Sequence, residues 1–511
     1  MNSPRESDET LNFLFSRIDY ERTPPPSTRE FKLQAMRSLM RRLGDPQDGL
    51  RIIHVAGTKG KGSTAAMSAA VLRAAGLRTA LYTSPHLESI TERVAIDGQP
   101  CPLDEFRLLA ERVRGPVEAL DREAESAGIA GGGPTFFDIV TAIAFLRFAE
   151  AKCDAVVLEV GLGGRLDSTN VCRPAVSVIT TISFDHTQQL GNTLALIAGE
   201  KAGIIKPGIP AVSGVLPAEP RDVIARIAAE RQAPLFELGR DFHFRQLDRN
   251  GDLAPNRIAY WETPATTHAL TSGPWPTPTA APDTTDAPGT TAARGATAAP
   301  GTTAAPGTTA APGTTAALEA NVKLRGDHQA LNAAVAIAAM NRLREAGWRI
   351  GDDAIRQGLA SVVCPARVER VADRPIVILD AAHNVASIEA LLETLNQDYP
   401  GRPRVAVFAV NRDKDVPGIL RRLLAAFPHV ILTQFHNNPR VLPVEELAAL
   451  ARSVADPIAS TNAKANPTVI EIARDTAAAL QAARAATPAD GLICVTGSFF
   501  LAAEARRWLD P

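Results

Sequence analysis

The sequence predicts an α/β protein carrying two mostly parallel sheets, and three observations lead there. Short β-branched runs alternate with Ala/Leu-rich helical stretches in two separate regions of the chain. Several runs are apolar throughout, as strands covered on both faces must be. A glycine-rich turn bearing a lysine and a hydroxyl residue joins one strand to the next helix, where such sheets gather ligands.

In chain order, RIIHVA, STAAMSAAVLRAAG and RTALYT read as strand, helix, strand, and DAVVLEV and AVSVITTI as further buried strands. From 264 to 316 the composition collapses to Pro, Thr, Ala and Gly. Ala-Pro-Gly-Thr-Thr-Ala recurs at 287–292, 299–304, 305–310 and 311–316. This repeat holds too few large apolar side chains to bury a core and reads as a disordered, tolerated insertion between RIAYW and ANVKLRG. The helix HQALNAAVAIAAMNRLREAG follows. A second βα series then begins near Pro365, with PIVILDAAHN, RVAVFAV, HVILTQF and LICVTGS. The expected domains are 1–364 and a smaller Rossmann-like unit, 365–511.

With 511 residues, a formal charge of -2 and 22% charged residues, the chain has no whole-molecule attraction to nucleic acid or anionic membrane. The polar start MNSPRESDETLNF is no secretory signal, and no apolar run is long enough to span a bilayer. Five scattered cysteines without CxxC spacing suit free thiols in a reducing cytoplasm.

The strongest local signal is HVAGTKGKGST, His54 to Thr64. Gly57, Thr58, Lys59, Gly60, Lys61, Gly62 and Ser63 form a turn whose backbone N–H groups can point at phosphate oxygens. The following helix adds its positive end, Lys61 a point charge and Ser63 a hydroxyl for Mg²⁺. The spacing differs from the strict P-loop, because Gly62 separates Lys61 from Ser63. Ser84, Glu159, Asp185 and His186 fall at the ends of predicted strands, beside that loop, and Lys201 follows on a helical segment. A carboxylate there suits Mg²⁺. A lone histidine is more often structural than ligating, the place of His186 at a strand end beside Asp185 makes the two readings even, and a helix lysine is ordinarily solvated.

HVAGTKGKGS, TSPHLESITERVAIDG, TFFDIVTAIAF, EVGLGGRLDSTN, DHTQQLG, EKAGIIK, GDHQALNAAVAIA, PARVERV and ILDAAHN occur in this order and span most of the chain outside the insertion. In them the sequence resembles the folylpolyglutamate synthase/dihydrofolate synthase branch of the Mur ligase superfamily. The resemblance implies a P-loop-containing, Mur-ligase-like ATPase domain and a C-terminal glutamate-ligase domain. It implies a cytoplasmic, monomeric, ATP-dependent ligase that joins L-glutamate to dihydropteroate or a reduced folate through an acyl phosphate. Lys59 to Ser63 would hold ATP phosphates, with Ser63 and Ser84 near one Mg²⁺ and Glu159 and His186 near another. Room is left for a monovalent cation. Lys201 matches a lysine that is carboxylated, and Lys61, His186 and Lys201 would be catalytic. Asn332, Arg367 and Asp380 would embrace the nucleotide from the far side. Thr135, Phe136, Phe137 and Asp138, with Arg165, Leu166 and Asp167, would line the pterin side, and His383 would contact substrate. For Phe136 and Phe137, core packing is an equal alternative.

The chain departs from the family pattern at Lys59, usually Asn, at Ala366, usually Gly, at Asp138, usually Glu, and at DAAHNV, usually closer to DGAHNP. None of these removes a proposed ligand. A monofunctional folylpolyglutamate synthase, a cell-wall Mur ligase and a nucleotide-binding scaffold remain the alternatives. The TSPHL and EVGLGGRLD runs speak against the second, and the Glu159, His186 and Lys201 set against the third.

Overall fold

β1 (Ile52–Ala56) is buried along its whole length and lies at the centre of the larger sheet. The computed structural model describes residues 9–18, 33–129, 132–248, 255–263, 317–436, 438–461 and 468–509. The inferred disorder of 264–316 lies outside them.

The larger sheet also contains β2 (Thr79–Tyr82), β3 (Val94–Ile96), β4 (Gln99–Pro100), β5 (Ala155–Glu159), β6 (Val176–Ile179), β7 (Ala211–Ser213) and β8 (Leu235–Glu237). Their order is β4-β3-β2-β5-β1-β6-β7-β8. All neighbours are parallel except in the β2-β3-β4 meander. β5 and β6 therefore flank β1, so the loops leaving all three open at one carboxyl edge.

Both faces of the sheet are covered, which is why these strands read as continuous apolar runs. Ile53 and Val55 pack with the Lys61–Ala74 and His328–Glu345 helices. Ile52, Val156 and Leu158 pack on the other face with Leu103–Ser126 and Phe136–Glu150.

A second sheet was not anticipated. β9 (Phe242–Leu247), β10 (Asn256–Glu262) and β11 (Leu318–Val322) form a three-stranded antiparallel unit, with Tyr260 opposite Leu318. The strand after the insertion lies earlier than ANVKLRG suggests. There polar residues alternate with Leu318, Ala320 and Val322, which face the core.

The C-terminal sheet runs β12-β13-β17-β14-β15-β16. Its strands are β12 (Glu369–Asp373), β13 (Ile376–Leu379), β14 (Arg404–Phe408), β15 (His429–Leu432), β16 (Val469–Ile472) and β17 (Leu492–Thr496). Only β12 is antiparallel to its neighbour. Val362 and Cys364 pack with the first domain, whereas Ala366 packs with Ala381 and Ala502 of the second. Among the described residues no helix is long and apolar enough to cross a membrane.

Candidate active site

The turn after β1 is shaped by two glycines that tolerate no side chain. Gly57 has φ 148°, and a Cβ there would lie 1.9 Å from Thr180 Oγ1. Gly60, the cap of the Lys61–Ala74 helix, has φ 82°, and a Cβ would meet Asn332 Oδ1 at 2.2 Å. The loop after β6 braces this turn. Thr58 N donates to Thr181 O at 2.7 Å, Thr180 Oγ1 donates to Lys59 O at 2.6 Å, and Thr58 and Ser183 exchange hydrogen bonds. Thr180 to Ser183 lie in a run that carries the family resemblance, ITTISFDHTQQLG, but no spacing shows that they brace the phosphate turn.

Sheet register places Glu159 at the turn. On β5 it pairs with Val55 of β1, and its carboxylate oxygens lie 3.4 Å from where a Gly62 Cβ would be. Ser84 N donates to Glu159 Oε2 at 3.3 Å. Burial raises the carboxyl pKa, and Lys61, the Ser84 amide, Arg367 and Arg93 oppose it.

Lys201 is 4% exposed on the Leu194–Ala202 helix. Burial pushes its amine down to about 7, Lys61 adds to the effect, and Asp185, Asp167 and Glu200 oppose it. His186 adopts φ 49° where the chain turns after β6, and its side chain is 44% exposed, 3.9 Å from Asp185. Partial desolvation holds its pKa down, helped by Lys414, Lys61 and Lys201 and opposed by Asp185. Lys61 is thus within electrostatic reach of Glu159, Asp185, His186 and Lys201. Among the described residues, no three His, Cys, Asp or Glu side chains are grouped as a ready-made metal cluster.

The second domain faces this edge. Asp380, just past β13, accepts hydrogen bonds from Val368 N and Ala382 N at 2.8 Å each, and Arg367 opposes the upward shift that burial imposes on its carboxyl group. Ala366 and Val368 both have positive φ, 53° and 46°, so Arg367 is held between two strained residues. The usual family glycine at 366 is what this backbone favours. The Arg367 guanidinium lies 5.0 Å from the Phe499 ring centroid. His383 Nδ1 contacts Ala381 O at 2.8 Å, and burial with Lys414 nearby pushes its pKa to about 4. Asp185 also feels His383 and Lys414, so charged groups of both domains lie within electrostatic reach of one another. Lys414 lies in the loop between β14 and the Val416–Ala426 helix. The Lys59 amine is pushed down by burial, and Asp185 and Glu389 of the second domain oppose this.

The segments expected on the pterin side do meet. Thr135 and Asp138 form a capping box at the Phe136–Glu150 helix, and Asp138 also accepts from Ser168 Oγ at 2.6 Å. Asp167 accepts from Gly161 N, Leu162 N and Thr169 N at 3.0–3.1 Å. These carboxylates are committed to holding the loops. Phe136 requires a correction: at 2% exposure, stacked on Phe15 with centroids 6.0 Å apart, it belongs to the core. Phe137 is half-buried against Gly161. Arg165 is 53% exposed and pairs with Glu200 at 2.9 Å, and Leu166 is half-buried in the turn between Arg165 and Asp167.

The chain is similar to known proteins over most of its length. Residues 366–499 match the Mur ligase, glutamate ligase domain. The chain is 35% identical over 418 residues to a dihydrofolate synthase/folylpolyglutamate synthase of Bacillus subtilis, covering 81% of this chain and 83% of the relative. The chain belongs to the folylpolyglutamate synthase/dihydrofolate synthase family. A Mycobacterium tuberculosis relative with the same two names is 35% identical over 494 residues, covering 94% of this chain and 91% of its own. The Mycobacterium tuberculosis folylpolyglutamate synthase complexed with ADP and AMPPCP superposes with TM-score 0.75 at 30% identity, over 98% of each chain. An E. coli FolC in complex with DHPP and ADP gives 0.73 at 27%, over 99% of each. This folylpolyglutamate synthase/dihydrofolate synthase family member is an ATP-dependent ligase.

Proposed function

We propose that the chain joins L-glutamate both to dihydropteroate and to the γ-carboxylate of reduced folates, releasing ADP and phosphate. The observation that carries this reading is a set of charged groups within electrostatic reach of one another, Lys61, Glu159, His186 and Lys201 of the first domain with Arg367, His383 and Lys414 of the second. The Bacillus and Mycobacterium relatives bear both activity names, which supports a bifunctional enzyme. We divide the chain at 364/365, where the packing of Cys364 and Ala366 parts.

The donor set suits Mg²⁺. Ser63, Ser84 and Glu159 offer oxygen, which this ion takes. The His186 nitrogen is a poorer match, and Lys201 fits only after uptake of CO₂, for which an amine held near 7 is prepared. When bound, the ion neutralises charge on the transferring phosphoryl group. Lys61 and the amides of Gly60 to Ser63 orient the phosphates for in-line attack by the substrate carboxylate, giving an acyl phosphate. The glutamate amine then attacks the acyl carbon. A C–N bond forms, the carbon–oxygen bond to phosphate breaks, and the nitrogen loses one proton to the leaving phosphate. His383, neutral and with Nδ1 turned to Ala381 O, keeps Nε2 as a hydrogen-bond acceptor for substrate. Asn332 and Asp380 hold the nucleotide side, and closure of the two domains keeps water from the acyl phosphate. The charged groups of both domains belong to one chain, which supports a monomer as the acting unit. Its five free thiols suit the cytoplasm.

Phosphate release should require ATP, glutamate and either dihydropteroate or tetrahydrofolate, each offered in turn to the purified protein. Glu159→Gln should lower kcat by about a hundredfold or more. Turnover with neither acceptor would remove the proposal.

A further inference from the structure

His54 is the one titratable side chain of the phosphate-loop strand, and the mechanism above does not use it. It lies on β1, fully buried, on the face that packs with Ile52 and Leu158. Its Nε2 is 2.8 Å from Thr169 Oγ1, and its Nδ1 is 3.7 Å from Cys172 Sγ. Thr169 Oγ1 in turn donates to Asp167 Oδ1, while Asp167 Oδ2 accepts from Gly161 N at 3.0 Å and Leu162 N at 3.1 Å.

The donors and acceptors along this chain fix one another. Asp167 receives three backbone N–H bonds and acts as an acceptor, so the Thr169 hydroxyl gives its proton to Asp167 and accepts at its oxygen. His54 must therefore carry its proton on Nε2 and present a bare Nδ1. The Cys172 thiol, which burial keeps protonated by pushing its pKa to about 12, supplies the S–H. Burial with Lys206 nearby pushes the imidazole to about 3, so the ring stays neutral. Every polar atom in the sequence Cys172, His54, Thr169, Asp167 has a partner.

The far end of the chain is the turn that follows Glu159. Gly161 packs against the Phe137 ring, where a Cβ would lie 2.7 Å from Cζ, and Ser168 ties the same loop to Asp138. We propose that His54 is a positioning residue for the pterin-bearing substrate: acting through Thr169 and Asp167, it sets the Gly161–Leu162 turn and the Phe137 face beside it. Glu159 is held by the β1 and β5 ladder and does not depend on this chain. The inference rests on the pteroate reading of the site.

Asn in place of His54 reproduces the reach of Nδ1 but not of Nε2, whereas Gln reaches Thr169. His54→Asn should raise the KM for dihydropteroate about tenfold, the cost of one unpaired buried group. The Kd for ADP should stay unchanged, and His54→Gln should restore most of the lost affinity. Thr169→Val should match His54→Asn, Thr169→Ser should behave as wild type, and the double variant should be no worse than either single one. If His54→Asn does not fold, the Thr169→Val and Thr169→Ser pair decides. An unchanged dihydropteroate KM in a folded His54→Asn or Thr169→Val protein, an equal loss of ADP affinity, or KM increments that multiply in the double variant would each overturn the inference. If wild-type protein turns over no pteroate acceptor, the proposed function fails instead, and the two failures are distinct.

Discussion

A lysine amine takes up CO₂ only when unprotonated, and burial among other charges holds Lys201 near that state at about 7. The proton is disfavoured only in the folded chain. Between about 7 and the ordinary lysine value of 10.5 the unfolded chain therefore binds more protons, and stability rises with pH. Lys201→Met should raise the unfolding midpoint at about pH 6 in bicarbonate-free buffer, with the gap closing toward about pH 10. The same variant should lose ligase activity. Thermal scans that show a pH-independent gap would assign the effect to packing. Gly60 makes the opposite point, since what matters there is an absent side chain. Gly60→Ala should cost about 1–2 kcal/mol in backbone strain, with the Asn332 clash added. Calorimetric titration should show weakened ADP binding.

At the scale of elements, the phosphate turn is held by its neighbours as much as by its own glycines. The loop after β6 gives it backbone partners, and the β1–β5 register delivers Glu159. The Pro/Thr/Ala/Gly segment falls between two paired strands of the antiparallel unit. Tyr260 pairs with Leu318, so the residues between them close a hairpin whose strands are already fixed by β9 and the core. Replacing 264–316 with a turn of about four residues should leave kcat/KM within about twofold, because loop closure depends only weakly on length. Steady-state kinetics on both acceptors would measure this. A large loss would give the insertion a role in catalysis.

At the scale of the whole molecule, the two domains are joined by more than the linker near Arg367. Arg325 of the first domain meets the fully buried Asp398 of the second at 2.9 Å, and Gln397 donates to Asp327 at 3.0 Å. Arg325 keeps some exposure to water, so Asp398→Ala should lower unfolding stability by about 2 kcal/mol, the loss of a charged hydrogen bond. Urea denaturation would give the value, and a change under about 1 kcal/mol would mean that Arg325 finds other partners. Much of this architecture is legible in the residues themselves. HVAGTKGKGST, the apolar runs DAVVLEV and AVSVITTI, and the second βα series have periods and turn chemistry that local physics imposes. The same locality limits the reading. No spacing tells that Asp138 and Asp167 are occupied by backbone and hydroxyl donors, that Phe136 is core, or that Lys414 comes within reach of Asp185. By itself the sequence determined the central parallel strands with their helices, the phosphate turn and the family to which they belong, because hydrophobic period and glycine placement act over a few residues. Only the tertiary structure decided which side chains are desolvated and which carboxylates are already bonded, because burial and hydrogen-bond partnership depend on segments far apart in the chain.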